Sequence, residues 1–419
     1  MDYQEALTWI HSRLKFGIKP GIQRMAWMLD QLGNPQEHIP AIHVVGTNGK
    51  GSVVNNLQHI FTAAGYHVGT FTSPYIVDFR ERISLDGQLM PKEDLVTCVE
   101  LVKPVVEALP AELEAATEFE TISLMMFLYF GRLHSVDLAV IEAGMGGRDD
   151  STNLFQALAV VCPSIGLDHQ AILGRTHAQI AQNKAGVLKK GESLVMAVQQ
   201  EEARQAFLEK AQEVGSPVYQ WQKDFSLMTS ENEKSLVFRN KETSLSDIEL
   251  AMLGQHQVSN AALAIETALL LKKSYPKLTD RAIRQGLATA RWQGRTELLR
   301  PNLMIDGAHN KESIQALVDL LKEGYGDKTI HILFAAIDTK PVTSMLKKLA
   351  EVGQVMVTTF PYHNSLALSD YPQGYEQAPD FKTWLDQVYE PDSGDFYLIT
   401  GSLYFISQVR KELLKNSPQ

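Results

Sequence analysis

Val44-Val45-Gly46-Thr47-Asn48-Gly49-Lys50-Gly51-Ser52 is the stretch on which this chain turns. Ala41, Ile42, Val44 and Val45 form an apolar, β-favouring run leading into and across its start, and after it apolar residues recur at helical spacing over 53–64 until Gly65. Strand, glycine turn and helix make the layout in which backbone N–H groups and a helix N-terminus cradle phosphates. Gly46, Gly49 and Gly51 allow close backbone approach, Lys50 reaches the outer phosphates, and Ser52 offers a hydroxyl to Mg2+. The spelling departs from G-x-x-x-x-G-K-S/T in two places. Val44 stands where the first glycine would, and Ser52 follows Lys50 by two residues instead of one. A turn that only joined strand to helix would have little use for a lysine among three glycines, so the stretch reads as a nucleotide site.

Composition bounds the partners. A chain of 419 residues is too long for one ordinary core and predicts two or three domains. Its 44% hydrophobic and 21% charged residues are ordinary for a globular protein. The start, M-D-Y-Q-E-A-L-T-W-I, is acidic and lacks the basic opening and long apolar core of a signal peptide. No apolar run approaches the ~18 residues needed to span a bilayer. Cys98 and Cys162 lie among apolar neighbours without zinc-ligand spacing and read as free thiols in a reducing compartment. A net charge of −10 argues against a nucleic-acid partner, so anionic ligands must be met by local donors. The expectation is a cytoplasmic monomer that acts on small molecules, away from membranes and nucleic acid.

Outward from the loop, several strand ends carry polar residues. Residues 1–40 read as two helices around a loop, Lys15-Phe-Gly-Ile-Lys-Pro-Gly-Ile22. A strand over 67–72 ends in T-S-P-Y and sets Ser73 where open α/β sheets place ligands, although a serine before proline is also an ordinary turn residue. D-F-R-E-R-I-S-L-D-G predicts a hairpin turning at Asp86-Gly87. After a helix over 93–109, Thr117-Glu118-Phe119-Glu120-Thr121 opens a strongly apolar helix over 122–133. Thr117 is a candidate cap there, and two acids suit the helix dipole. V-D-L-A-V-I-E-A (136–143) is a strand of the kind buried on both faces of a parallel sheet. Glu142 at its end, ahead of G-M-G-G-R-D-D-S-T-N, reads as a metal-ligating acid beside the phosphate loop. The next strand, 158–165, delivers G-L-D-H with His169, and a helix over 176–187 carries Asn183-Lys184-Ala185-Gly186. A cationic lysine aimed at a Mg2+ site is electrostatically unfavourable.

Beyond 193 come S-L-V-M-A-V, S-P-V-Y-Q-W and S-L-V-F-R-N, the last two read as a small antiparallel meander. G-Q-H-Q-V-S-N opens a helix running to 273, with Asn260 in its first turn. The pattern restarts around 294–301, which places a boundary between domains 1–295 and 296–419. Strands at 303–305, 330–336, 355–359 and 396–400, with helices between, predict a smaller Rossmann-like sheet. Asp306 and His309 in D-G-A-H-N and Ser402 in G-S-L-Y sit at its strand ends, where a substrate lying between two domains would bind.

G-T-N-G-K-G-S, T-S-P-Y, I-E-A-G-M-G-G, L-D-H, N-K-A-G, G-x-H-Q-x-x-N, G-R-T-E, D-G-A-H-N and G-S-L-Y follow one another over nearly the whole chain. In that order they resemble the folate branch of the Mur-ligase superfamily, the bacterial folylpolyglutamate synthases and dihydrofolate synthases. The resemblance implies an α/β fold with an N-terminal P-loop ATPase domain of Mur-ligase type and a Rossmann-like C-terminal glutamate-ligase domain. It implies ATP-driven ligation of L-glutamate to the γ-carboxylate of a folate through an acyl phosphate, releasing ADP and phosphate. Dihydrofolate synthase, alone or combined in one bifunctional enzyme, is the near alternative. It implies Mg2+ at Ser52, Ser73, Glu142 and His169, a carbamylated Lys184 bridging as a carboxylate, and a place for a monovalent cation. ATP is implied at Gly46, Thr47, Asn48, Gly49, Lys50, Gly51 and Ser52, with Asn260 on adenine, Arg295 on phosphates, and Asp306. Catalytic weight falls on Lys50, Lys184, Asp306 and His309. Thr117, Glu118, Phe119 and Glu120, the Asp150, Ser151 and Thr152 stretch, and the 15–22 loop border the pterin; His309 and Ser402 hold the glutamate.

Three rivals read less well. Cell-wall ligases that use nucleotide sugars resemble three-domain chains, and only 45 residues precede Gly46 here. A GTP switch needs N-K-x-D, whereas this chain has N-K-A-G with Gly186 in the acid's place. A scaffold has no need for Lys50, Glu142 and His169 to converge. Within the folate branch, Asp149 adds an acid to the 147–153 wall, which is expected to disfavour a second aromatic dock and let folate addition dominate.

Overall fold

The apolar run ahead of the glycine loop becomes a buried strand, β1 (Ala41–Val44), near the middle of an eight-stranded sheet in the computed structural model. The structure describes residues 1–13, 21–230, 235–338, 340–386, 388 and 394–415. Two units separate: 1–73 with 80–250 and 258–290, and 74–79 with 251–257 and 291–419.

In the first unit β2 (Val68–Phe71), β3 (Ile83–Leu85), β4 (Gln88–Leu89), β5 (Leu138–Glu142), β6 (Ala157–Cys162), β7 (Ser193–Met196) and β8 (Val218–Gln220) complete the sheet. The strand order is β4-β3-β2-β5-β1-β6-β7-β8, parallel from β2 to β8. The chain leaves β1 for one side of it and returns for β6 on the other, so the carboxyl ends of β1, β5 and β6 adjoin at a switch point. Every residue of β1 and β5 is buried because helices cover both faces. On one face Val53, Leu57, Ile60 and Phe61 of the helix Lys50–Ala63 pack with Leu263 and Ile265 of the helix Gln255–Leu271. Each such side chain contributes about 1.5–3 kcal/mol by leaving water. The helix Glu118–Leu128 is buried nearly all round, and its continuation Tyr129–Leu133 widens into a π turn, a change the apolar pattern did not reveal. The expected hairpin forms, with Asp86 at φ 53° and Gly87 at φ 76° between β3 and β4.

S-P-V-Y-Q-W is corrected: it forms the parallel edge strand β8, while S-L-V-F-R-N forms β10 (Leu236–Asn240) between β9 (Phe225–Thr229) and β11 (Ser244–Ile248). Turn signals alone did not distinguish an antiparallel pairing with the strands that follow from a parallel pairing with β7, reached back across the helix Glu201–Val214.

Among the described residues the second unit has six strands rather than four. The order is β12-β13-β17-β14-β15-β16, from β12 (Glu297–Arg300), β13 (Leu303–Ile305), β14 (Thr329–Phe334), β15 (Gln354–Thr358), β16 (Glu376–Ala378) and β17 (Asp395–Thr400). The four expected strands are its parallel centre. The additions are short edge strands, β12 antiparallel and β16 parallel, too brief and too polar to show a run of their own. Among the described residues no helix is long and apolar enough to cross a membrane.

Candidate active site

The glycine loop is held by the turn after β6. The Thr47 N–H donates to the Ser164 carbonyl (2.8 Å), the Gly166 N–H donates to Thr47 Oγ1 (2.9 Å), and the Asn48 N–H donates to Ser164 Oγ (3.1 Å). Ser164 went unassigned in the sequence, since a serine after a proline at a strand end carries no signal of its own. Gly49 caps the helix at φ 87°, and a Cβ there would stand 2.6 Å from Asn260 Oδ1 and 3.0 Å from Pro163 Cβ. Left-handed backbone costs an ordinary residue about 1–2 kcal/mol before that crowding is counted. Gly49→Ala is therefore expected to weaken ATP binding by about tenfold or more, read by calorimetric titration. Unchanged affinity would show that phosphates do not need this close approach.

Lys50, Glu142 and Lys184 gather at the loop. Glu142 ends β5 in register with Val44, is 4% exposed, and has Oε1 3.6 Å from Lys50 Nζ. Lys50 Nζ also donates to the Thr47 carbonyl (3.2 Å). Lys184, near the end of the helix His177–Ala185, is 5% exposed and donates to the Gly46 carbonyl (2.8 Å). Its helix is drawn in by the G-M-G-G turn, where the Gly147 N–H donates to Asn183 Oδ1 (3.0 Å) and the Arg148 N–H donates to the Asn183 carbonyl (2.9 Å). Burial pushes the Lys184 ammonium down to about 7, helped by the Lys50 charge and opposed by Cys162, Asp150 and Asp168.

Ser52 is buried in the first helical turn, Ser73 is half-buried after β2, and His169 is exposed at φ 52° beside Asp168. Among the described residues no three His, Cys, Asp or Glu side chains stand together as a metal cage. Two hydroxyls, a buried carboxylate and one imidazole still fit Mg2+, which keeps waters and shares substrate phosphates rather than needing an all-protein cage.

Thr117-Glu118-Phe119-Glu120 forms a capping box: the Glu120 N–H donates to Thr117 Oγ1 (3.1 Å) and the Thr117 N–H donates to Glu120 Oε2 (2.8 Å). The Phe119 ring occupies the space where a Cβ on Gly144 would stand. In the 147–153 turn, Asp150 accepts from the Met145 N–H (2.7 Å), the Thr152 N–H (3.0 Å) and Thr152 Oγ1 (2.6 Å). Burial raises the Asp150 carboxyl against those donors. His43 Nε2 lies 2.9 Å from Thr152 Oγ1, and burial pushes the imidazole down to about 3, so it is neutral. The side chains of Asp150 and Thr152 thus form an internal knot, and Ser151 alone of the three is half-buried. Asp149 is corrected as well: Arg148 donates to its carboxylate at the surface from Nη2 (2.9 Å) and Nε (3.0 Å), so it adds no unpaired charge to a wall. The 15–22 loop lies, but for its last two residues, outside the described residues.

In the second unit the Asp306 carboxylate accepts the Thr296 N–H (2.7 Å) and the Ala308 N–H (2.8 Å), which fixes the turn after β13 that carries His309. His309 Nδ1 donates to the Gly307 carbonyl (2.8 Å). Ser402 is 3% exposed at the end of β17, and Arg295 is half-buried. His256, inside G-Q-H-Q, was given no role in the sequence, and it lies near Asp306 and Arg295. Burial lowers its imidazole, while Asp306 opposes and Arg295 adds to that shift.

Residues 44–268 match the family described as the Mur ligase middle domain. A Bacillus subtilis dihydrofolate synthase/folylpolyglutamate synthase is 40% identical, over 98% of this chain and 99% of its own. The folylpolyglutamate synthase of Lacticaseibacillus casei is 35% identical, over 99% of both. A solved FPGS complex with AMPPCP and folate superposes with a TM-score of 0.86 at 32% identity, over 99% of this chain and 100% of that one.

Proposed function

The chain belongs to the Mur ligase family, in its folylpolyglutamate and dihydrofolate synthase branch, and on that footing we propose that it joins L-glutamate to the γ-carboxylate of a folate at the expense of ATP. The observation that carries the chemistry is the gathering of half-buried Lys50 with buried Glu142 and Lys184 around a glycine loop at adjoining strand ends. Loop N–H groups and the helix N-terminus receive the phosphates, and Lys50 reaches the γ-phosphoryl oxygens. The folate carboxylate oxygen attacks the γ-phosphorus and ADP leaves. The glutamate amine then attacks the acyl phosphate, orthophosphate leaves, and the amine gives up its proton as the amide forms. Ser52, Ser73, Glu142 and His169 would hold Mg2+, which supplies charge neutralisation at the phosphates. Lys184 is the proposed carbamate: its neutral amine bonds to the carbon of CO2 and releases one proton, turning a cation into a carboxylate. An ammonium lowered to about 7 supports this, because the neutral amine is then present at neutral pH. Thr117–Thr121 and Ser151 are proposed to border the pteroyl group. His309, on a turn fixed by Asp306, and Ser402, at the end of β17, hold the incoming glutamate; Asn260 and Arg295 serve the nucleotide. Residues 1–295 would carry the ATP chemistry and 296–419 the glutamate side, in a cytoplasmic monomer.

A bifunctional reading is favoured by the 40% identical relative, which bears both names. Asp149 no longer argues against it. The test is turnover with ATP, Mg2+ and glutamate against a panel of dihydropteroate and folates. ADP and orthophosphate are expected with tetrahydrofolate; AMP and pyrophosphate would overturn the acyl-phosphate route. Comparable kcat/KM on dihydropteroate would establish both activities.

A further inference from the structure

Glu120 is 3% exposed, and its carboxylate has two partners. Oε2 closes the capping box with the Thr117 N–H (2.8 Å), while Oε1 accepts from Arg24 Nε (2.8 Å). Arg24 is itself buried, on the helix Gln23–Gln31, and has no part in the chemistry above. Between the two acids of this turn stands Phe119. Its ring lies 5.8 Å, centroid to centroid, from Phe71 at the end of β2 and abuts Gly144, two residues beyond Glu142. His11 Nδ1, 3.2 Å from Glu118 Oε2, braces the same turn from the first helix.

A buried arginine–carboxylate pair is weak evidence for stability, since desolvation offsets much of the Coulomb attraction. It is a good geometric restraint, because the planar guanidinium fixes the orientation of the oxygen it holds. We propose that Arg24, acting through Glu120, is a positioning residue that sets where Phe119 stands, and thereby the affinity for the pteroyl end of the folate. The proposal rests on the reading that 117–121 borders that ring system. Glu120 and Phe119 share one helical turn, so any rotation that a lost Arg24 tie permits carries the ring with it. The box at Thr117 holds the helix start locally; among the described residues, Arg24 is what ties Glu120 to a different helix.

Four variants separate the alternatives: Phe119→Ala, Arg24→Lys, Arg24→Met and Arg24→Met with Glu120→Gln. Arg24→Met alone leaves a buried unpaired carboxylate and lowers Tm. The double variant removes that charge, keeps an acceptor for the Thr117 N–H, and brings Tm back near the parent value. We expect folate KM to rise about tenfold in Arg24→Lys and in the double variant, with ATP KM and kcat little changed, since small misplacements of a binding wall act on the group it contacts. If Phe119→Ala raises folate KM while every Arg24 variant leaves it unmoved, Arg24 is purely structural and the proposal is overturned. If Phe119→Ala also leaves folate KM unmoved, the placement of the pteroyl wall fails first, and this proposal with it.

Discussion

Lys184→Ala is expected to lower kcat by about a thousandfold, the scale seen when a preorganised charge is removed from a site of developing phosphoryl charge. The side chain is nearly inaccessible, its amine lies against the Gly46 carbonyl of the phosphate loop, and Lys50 is near enough to push its ammonium down further. An ammonium at Lys184 next to the Lys50 charge would be a poor arrangement for a metal, whereas a carbamate at Lys184 reverses one of the two cations. Formate or acetate should therefore restore part of the lost activity by standing in for the missing carboxylate. Isotopically labelled CO2 should give a carbamate carbon resonance in the parent protein and none in the variant. A parent protein that shows no such resonance in the ATP complex would leave Lys184 a plain ammonium and sink the proposal. The stability trend is separate and opposite. In CO2-free buffer the folded amine titrates near 7 and the unfolded one near 10.5, so between those values the unfolded chain binds a proton that the folded chain lacks. Burial of the ammonium thus counts fully against folding below pH 7, and that penalty fades as pH rises toward 10.5. Lys184→Met should gain thermal stability relative to the parent as pH falls from 10 to 6, while remaining inactive.

The parts of this chain that were legible are those in which local chemistry and fold agree. A buried apolar run, a glycine turn with a lysine, and an acid at the end of a second buried run announce β1, the loop and Glu142 without any long-range information. The hairpin at Asp86-Gly87 was equally local, because a two-residue turn demands positive φ at both positions. What escaped the sequence depends on partners far away in the chain. β8 pairs with β7 across the helix Glu201–Val214, and no periodicity encodes that choice. Ser164 pins the loop from 116 residues away, and Arg24 meets Glu120 across 96. Asp150 and Thr152 were placed at the pterin by resemblance; in the structure Thr152 Oγ1 donates to Asp150, and His43, at the buried centre of β1, gives Thr152 a second internal partner. Roles in the second unit were inferred from resemblance. The structure adds a local reason for one of them: Asp306 fixes the turn that carries His309.

Lys50→Met should cost about as much as loss of Lys184, a fall in kcat of about a thousandfold, with ATP affinity reduced far less. The difference follows from where the charge acts. Loop N–H groups bind the phosphates of ground state and transition state alike, so they chiefly set affinity. The Lys50 ammonium, resting 3.2 Å from the Thr47 carbonyl and 3.6 Å from Glu142, is the cation best placed to follow charge toward the transferring phosphoryl group. Methionine preserves the apolar stem and removes only that charge. A second consequence distinguishes this from simple damage to the loop. Lys50 is one of the causes that lower the Lys184 ammonium, so the variant should titrate Lys184 at higher pH. The neutral amine available to CO2 then declines at neutral pH, and carbamate formation in Lys50→Met should need more alkaline buffer than in the parent. Binding of ATP by calorimetry, single-turnover phosphoryl transfer and the pH dependence of the carbamate resonance measure the three effects independently. If ATP binding and turnover fell by the same factor while the carbamate pH profile stayed fixed, Lys50 would be a ground-state phosphate ligand only, electrostatically uncoupled from Lys184.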